Sequence, residues 1–273
     1  MPLFVVPTPI GNLGDITIRA IRVLREADII ACEDTRKTAV LLQHYHIRVP
    51  TISYYAHNEY KRGEQLLERL RKGQQVALVS DAGTPGISDP GAILIRAALS
   101  ENILVDVLPG PTAFVPALIQ SGLGPHPFTF YGFLPDKAGE RQKELALLKD
   151  HPFPIIIYLS PHKAQKHLRD ILKSFGDRPA ALVREISKIY QEARRSSLSL
   201  LLKGIEEEGV RGELVLIVDR ALSAPLDESM WQGKALDMLR DGITSKEVVE
   251  FIIQHYSVSK NTVKDWLIHR GQD

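Results

Sequence analysis

Cysteine is almost missing from this chain: Cys32 is the only one in 273 residues. That excludes an intrachain disulfide and a cysteine-ligated metal cluster, and it fits a reducing compartment. No apolar run approaches the roughly 20 residues of a membrane-spanning helix. The first residues, Met1 to Pro7, lack a basic n-region and are too short for a signal h-region. A cytoplasmic protein is therefore expected. Net charge is also small, since 34 basic and 33 acidic residues leave +1. So small an imbalance argues against tight non-specific binding of polyanions, though not against docking on a structured RNA. Two nucleotide-binding patterns are absent as well. There is no Gly-Lys-Ser/Thr, and Pro7 and Pro9 stand where a G-x-G-x-x-G loop needs glycines. No metal is expected, because no His-rich spacing or carboxylate cluster has a ligand pattern.

What is present is ordinary in bulk and unusual in one place. Apolar residues at 44% and charged residues at 25% suit a globular protein of two domains with a small appendix. The unusual place is 79–91, where the apolar run 76–79 gives way to Ser80-Asp81-Ala82-Gly83-Thr84-Pro85-Gly86-Ile87-Ser88-Asp89-Pro90-Gly91. The run predicts a buried strand. Asp89-Pro90 predicts a helix N-cap with proline at the first helical position. Between them lies a loop too long for a plain turn, whose small residues let a ligand approach the backbone. Such a loop marks a crevice at the carboxyl end of a parallel strand, where open α/β sheets bind ligands.

Strand and helix signals alternate through the first half. Strands are expected at 3–6, 28–32, 51–54, 76–79 and 103–107, with helices at 15–27, 35–43, 61–71, 90–99 and 112–120. This alternation predicts a parallel sheet covered on both faces. A turn-rich stretch at 121–127 sets a boundary. Beyond it, strands are expected at 128–133, 154–159, 179–184, 187–193 and 213–218, and helices at 140–149, 163–174 and 198–208. The adjacent runs 179–184 and 187–193 predict some antiparallel pairing. The expected domains are 1–120, α/β; 121–224, mixed α/β; and 225–273, a small helical appendix. In that appendix, helices at 245–255 and 259–268 have the form of a helix-turn-helix. Acidic residues outnumber basic ones there, which favours a packing role.

Four strand-end loops of the first half converge on one crevice in this reading: 7–15, 33–38, 54–59 and 80–89. Glu33-Asp34 with Arg36-Lys37 offers a general base and a phosphate or ribose anchor, or simply a well-charged helix start. His57-Asn58-Glu59 offers a hydroxyl-binding group or a capping turn. Tyr54, Tyr55 and Phe133 suit either base stacking or core packing.

Several of these segments resemble the ribosomal RNA small subunit methyltransferase I family of the tetrapyrrole-methylase superfamily. The similarity is carried by 6–17, by Cys32-Glu33-Asp34-Thr35-Arg36-Lys37-Thr38, by 80–91 and by Leu108-Pro109-Gly110-Pro111-Thr112-Ala113. Phe130-Tyr131-Gly132-Phe133-Leu134-Pro135 and Arg184-Glu185-Ile186-Ser187-Lys188 extend it to about residue 219, and the tail resembles the helical segment of many members. The resemblance implies two α/β domains with S-adenosylmethionine folded into the cleft between them, usually in a homodimer. It implies 2'-O-methylation of a cytidine in the decoding region of 16S ribosomal RNA, with the small ribosomal subunit as partner.

By similarity, Asp81, Ala82, Gly83, Thr84, Thr112, Ala113, Leu159, Glu213 and Leu214 are expected to contact the cofactor, with Arg184-Glu185 beside the cleft. The Pro7 loop is expected to face the substrate. A ribose hydroxyl needs a proton acceptor, and Asp34, His57 and Asp81 are the catalytic candidates. Arg36 and Lys37 would grip flanking phosphates. Pro9, Asn12, Asn58 and Glu59 complete the expected substrate contacts. Three other readings stay open: a corrin or siroheme methyltransferase, a protein methyltransferase of the diphthine-forming kind, and a non-catalytic RNA-binding assembly factor. The prolines of the first loop weigh against the tetrapyrrole reading.

Overall fold

Five short apolar runs of the first half pair side by side, all parallel. They are β1 (Leu3–Val5), β2 (Ile29–Cys32), β3 (Thr51–Ser53), β4 (Val76–Val79) and β5 (Val105–Val107), in the order β3-β2-β4-β1-β5. The computed structural model describes residues 2–124, 127–221, 228–256 and 258–270. Alternate side chains of each strand serve opposite faces. Ile30, Cys32, Ala77 and Val79 pack beneath α1 (Ile18–Glu26) and α2 (Thr35–His44). Leu3, Ile29, Ala31, Val76 and Leu78 pack beneath α3 (Glu59–Arg71) and α4 (Ala92–Ser100). Both faces are covered, so continuous apolar strands are what this sheet requires.

Strand order places the crevice. After β1 the chain crosses one face through α1 towards β2. After β4 it crosses the other face through α4 towards β5. β1 and β4 are neighbours, so the loops that follow them flank the switch point of the sheet, the usual ligand position in such folds.

The second sheet is mixed. It contains β6 (Thr129–Phe133), β7 (Ile155–Leu159), β8 (Pro179–Arg184), β9 (Glu192–Ser197) and β10 (Leu214–Val218), in the order β6-β7-β10-β8-β9. Only β6 and β7 run parallel. One face packs on α6 (Ala138–Leu148), α7 (Pro161–Phe175) and α8 (Leu198–Glu208). The other carries α5 (Phe114–Ser121) and also receives Ile10 from the loop after β1. A shared apolar cluster thus joins the two sheets. By contacts, residues 1–221 form one compact unit and 222–273 a second. The expected division at 224/225 lies outside the described residues.

Two local expectations need correction. The strand expected at 187–193 is instead a tight turn followed by β9 at Glu192–Ser197. Glu185 and Ser187 have φ of 50° and 67°, and the Lys188 N–H returns to the Glu185 carbonyl at 3.0 Å. The expected cap at Asp89-Pro90 is also displaced. α4 begins at Ala92, and Gly91 holds the capping position at φ 138°, a conformation that favours glycine. The second unit contains α9 (Glu228–Arg240), α10 (Ser245–His255) and α11 (Lys260–Arg270) around Trp231, Ala235, Val248, Ile252 and Val263. α9 falls inside the expected helical appendix, for which only the two later helices had expected bounds. A reciprocal Thr244–Glu247 capping box starts α10.

Candidate active site

The small-residue loop after β4 is stapled to the loop after β1. Thr8 and Gly83 exchange backbone hydrogen bonds, each 2.9 Å, and the buried Thr8 hydroxyl donates to the Ser80 carbonyl at 3.0 Å. Gly83 adopts φ 78° to make this turn. On its other side, the Thr84 hydroxyl donates to the Pro111 carbonyl at 3.3 Å. These bonds fix three loops around a cavity of about 300 Å³ lying between the two sheets.

Eight of the nine expected cofactor residues line that cavity: Ala82, Gly83, Thr84, Thr112, Ala113, Leu159, Glu213 and Leu214. The ninth, Asp81, lies elsewhere. It lines a smaller neighbouring cavity of about 110 Å³ with Pro9, Lys37, Thr38 and Ser80. The larger cavity has further walls that the sequence did not single out as contacts, among them Ile10, Ser88, Asp89, Tyr158, Ser160 and Val215. Phe133, expected as a stacking residue, also lines it. Its ring meets Tyr158 edge-on at 5.4 Å, and Tyr158 meets Phe130 at 5.0 Å. Desolvation pushes the Tyr158 phenol above its ordinary value.

The expected catalytic and substrate residues are spread more widely. Both Asp81 oxygens are engaged, one by the Asp34 backbone N–H at 3.0 Å and one by Lys37 Nζ at 2.7 Å. Asp34 caps α2 through the Arg36 N–H and also accepts from the Arg36 side chain at 2.8 Å. Arg36 holds the Asp34 carboxyl down to about 2. His57 is exposed and lines neither of these cavities.

Asn58 and Glu59 are occupied in building the local structure. Asn58 Oδ1 accepts from the Tyr55 N–H at 2.8 Å, and its amide donates to the Ser53 carbonyl at 3.2 Å. Glu59 Oε1 accepts from the Gly91 N–H at 3.0 Å. Asn12 accepts from the Gly14 N–H at 3.0 Å and caps a short turn, Leu13–Asp15. Tyr54 is 1% exposed, so it is a core residue; Tyr55 and Phe133 are 41% and 56% exposed and remain accessible.

Several carboxylates lie close to one another around the cavities, Asp81 and Glu213 paired with lysines. Desolvation and then Asp81 raise Glu33 above its ordinary value. Burial, with Glu33, Asp81 and Glu213 nearby, lifts Asp89 to about 6. Glu213 has a cation, Lys188, at 3.3 Å, and Lys188 also pairs with Glu185 at 2.9 Å. Glu185 in turn accepts from the Glu213 N–H at 2.9 Å. Ser187 of the same turn donates to Asp15, so this turn of the second sheet is bonded to the loop after β1. Among the described residues, no group of three or more His, Cys, Asp or Glu is placed to hold a metal ion.

Known proteins resemble the chain at two levels. A family model described as Tetrapyrrole (Corrin/Porphyrin) Methylases matches residues 2–201. A protein named ribosomal RNA small subunit methyltransferase I from Streptococcus pyogenes serotype M3 is 40% identical over 265 residues, 94% of this chain and 91% of that protein. One of the same name from Bacillus subtilis is 40% identical over 269 residues, 98% of this chain and 90% of that protein. Among solved structures, uroporphyrin-III C-methyl transferase from Thermus thermophilus, complexed with S-adenyl homocysteine, superposes with a TM-score of 0.58. That match has 18% identity and covers 81% of this chain and 99% of that one. It establishes a likeness of fold.

Proposed function

We propose, for a chain that belongs to the tetrapyrrole methylases and to their ribosomal RNA small subunit methyltransferase I branch, that it methylates small-subunit ribosomal RNA with S-adenosylmethionine. The finer reading is transfer to the 2'-hydroxyl of a cytidine in the decoding region. The observation that carries the methyl-transfer reading is the cavity at the switch point, walled by Ala82-Gly83-Thr84 on one side and Leu159 with Glu213-Leu214 on the other.

The lining suits the cofactor chemically. Ile10, Leu159 and Val215 offer apolar surface for a purine, and Thr84 and Thr112 offer hydroxyls for a ribose. Asp89 and Glu213 place carboxylates where a cationic group is favoured. When bound, the cofactor supplies an electrophilic methyl group on a positively charged sulfur. The protein's task is then alignment, worth roughly 7–11 kcal/mol of barrier in well-oriented reactions. Lys37 and Arg36, exposed beside the smaller cavity, are placed to hold phosphates flanking the target nucleotide. Tyr55 and Phe133 are accessible aromatic surfaces for an unstacked base. The same reading carries a homodimer and a cytoplasmic location.

The direct test is transfer of labelled methyl from S-adenosylmethionine to unmodified small ribosomal subunits, naked RNA and a tetrapyrrole precursor in parallel. Alkaline hydrolysis then locates the label, because a 2'-O-methyl group blocks cleavage at its own linkage. The expected product is a labelled, alkali-resistant dinucleotide beginning with cytidine. Label in the tetrapyrrole alone would overturn the reading.

A further inference from the structure

The turn at 185–191 is built more firmly than a connection between β8 and β9 requires. At its root, Ile186 is buried in the apolar cluster that joins the two sheets. The Lys188 N–H donates to the Glu185 carbonyl at 3.0 Å, and the Gln191 N–H to the Lys188 carbonyl at 3.1 Å. The Gln191 side-chain oxygen accepts the Ser187 N–H at 2.6 Å. Glu185 and Ser187 hold positive φ to make the turn, strain of a kind that chains retain mostly where it serves a site. At the tip stand Ile189, 95% exposed, and Tyr190, 75% exposed. The Tyr190 side chain makes no hydrogen bond or ring contact among the described residues.

This tip is fastened beside the site. Ser187 donates to Asp15, and the Lys188 stem lies so close to Gly11 that a Cβ there would collide with it. The Lys188 ammonium reaches Glu213, a wall of the larger cavity, at 3.3 Å. The same loop after β1 lines the smaller cavity through Pro9 and Leu13, together with Lys37. One loop is thus flanked by an exposed cation and by a rigid turn that carries an exposed aromatic ring.

We propose that Tyr190 is a stacking platform for an unpaired base of the RNA substrate, with Ile189 as its apolar neighbour, a contact that rests on the RNA methylation proposed above. Unpaired nucleic acid is held by cations along its backbone and by aromatic rings that stack its bases. Lys37 and Arg36 supply the first and Tyr190 the second. Tyr55 and Phe133 already lean on other rings, His57 and Tyr158, whereas the Tyr190 ring has no such neighbour. The size of the apolar tip favours a base over a second copy of the chain. It comprises two side chains set among Ser187, Lys188 and Gln191, while a stable interface takes about 800 Å² from each partner.

The experiment compares Tyr190→Ala, Tyr190→Leu and Tyr190→Phe with the wild-type protein. Single-turnover methyl transfer is followed over a range of small-subunit concentrations, with cofactor affinity by calorimetry and molecular mass by sedimentation. Tyr190→Ala is expected to raise the half-saturating subunit concentration roughly 5- to 150-fold, the range that base stacking on a ring confers. Tyr190→Phe should stay close to wild type and Tyr190→Leu should recover little. Cofactor affinity and molecular mass should be those of the wild type in all three. A Tyr190→Ala protein with the wild-type subunit dependence would overturn the proposal, and so would Tyr190→Leu performing as well as Tyr190→Phe. A change of molecular mass in Tyr190→Ala would assign the tip to a contact between copies instead. Wild-type protein that methylates no RNA would overturn the functional reading itself.

Discussion

Lys37 Nζ lies 2.7 Å from one oxygen of Asp81, while the other oxygen accepts the backbone N–H of Asp34 at 3.0 Å. A single carboxylate thus ties the start of α2 to the loop after β4 and keeps Lys37 beside the smaller cavity. Sequence similarity places Asp81 among the cofactor contacts; its position next to Lys37 suggests a different job. Asp81→Ala is expected to leave cofactor affinity in calorimetry near wild type. RNA affinity should fall, because Lys37 loses its orientation. Stability should drop by about 1–2 kcal/mol, since the exposed ion pair is worth little and the backbone hydrogen bond somewhat more. Abolished cofactor binding would return Asp81 to the cofactor wall.

Asp89 also makes stability depend on pH, with an unusual sign for an aspartate. Its folded value near 6 lies above the ordinary 3.8, so the folded state binds the proton more tightly than the unfolded chain. Stability from this group is present below the ordinary value and is lost as pH rises towards 6. Asp89→Asn should therefore be more stable than wild type at neutral pH, by about 1–2 kcal/mol after allowance for solvent screening. The gap should close on acidification. Urea titrations of both proteins at neutral and acidic pH check this, and the difference between them cancels the other carboxylates. A gap that stays constant with pH would contradict the raised value.

Much of the scaffold was legible because its signals are local. Strands β2 and β4 are continuous apolar runs, and the small-residue loop after β4 is long enough to stand out from an ordinary turn. The strand expected at 187–193 gives way to a turn although Ile189, Tyr190 and Ala193 suit a strand. Nothing in the letters announces positive φ at Glu185 and Ser187. Asp89 departs from its expected capping role for a similar reason. Asp-Pro is a strong local cap signal, but a distant carboxylate, Glu59, satisfies the helix start through Gly91. Catalytic candidates were harder to rank because ion pairing is a tertiary fact. Lys37 could have faced solvent or phosphate, and only the fold brings it to Asp81.

Gly110 tests how closely the loops must approach. A Cβ added there would stand 2.7 Å from Pro7 Cβ and 3.0 Å from Pro7 Cγ, and a proline ring cannot swing aside. Pro111, the next residue, holds Thr84 through its carbonyl, and Thr112 and Ala113 line the larger cavity. Gly110→Ala should cost about 1–3 kcal/mol of stability through overpacking. It should also weaken cofactor binding, because the cavity wall shifts with the loop. Thermal unfolding with and without cofactor separates the two effects: the ligand-induced rise in melting temperature should shrink along with the base value. A full rise in the variant would show that the loop relaxes away from the cavity.

Arg141 of α6 is a fully buried cation, at 0% exposure. Its Nη1 donates to the carbonyls of Pro135 and Asp136 at 2.9 and 2.7 Å, and its Nε donates to Asp170 at 2.8 Å. The guanidinium therefore shapes the bend that follows Phe133, a residue of the cavity wall, and fastens α6 to α7. Replacing it by methionine keeps the apolar stem but leaves Asp170 and two carbonyls without their donor. Loss of one partner from a fully buried pair costs about 3–5 kcal/mol; water reaches the Asp170 side chain, 23% exposed, so the cost of Arg141→Met should fall below that range, still read as a lower urea midpoint. The double change Arg141→Met with Asp170→Leu removes both charges and should recover part of that loss, because the penalty lies mainly in the stranded carboxylate. No recovery in the double variant would place the cost in the two carbonyls instead, making Arg141 chiefly a clamp on the Phe133 loop.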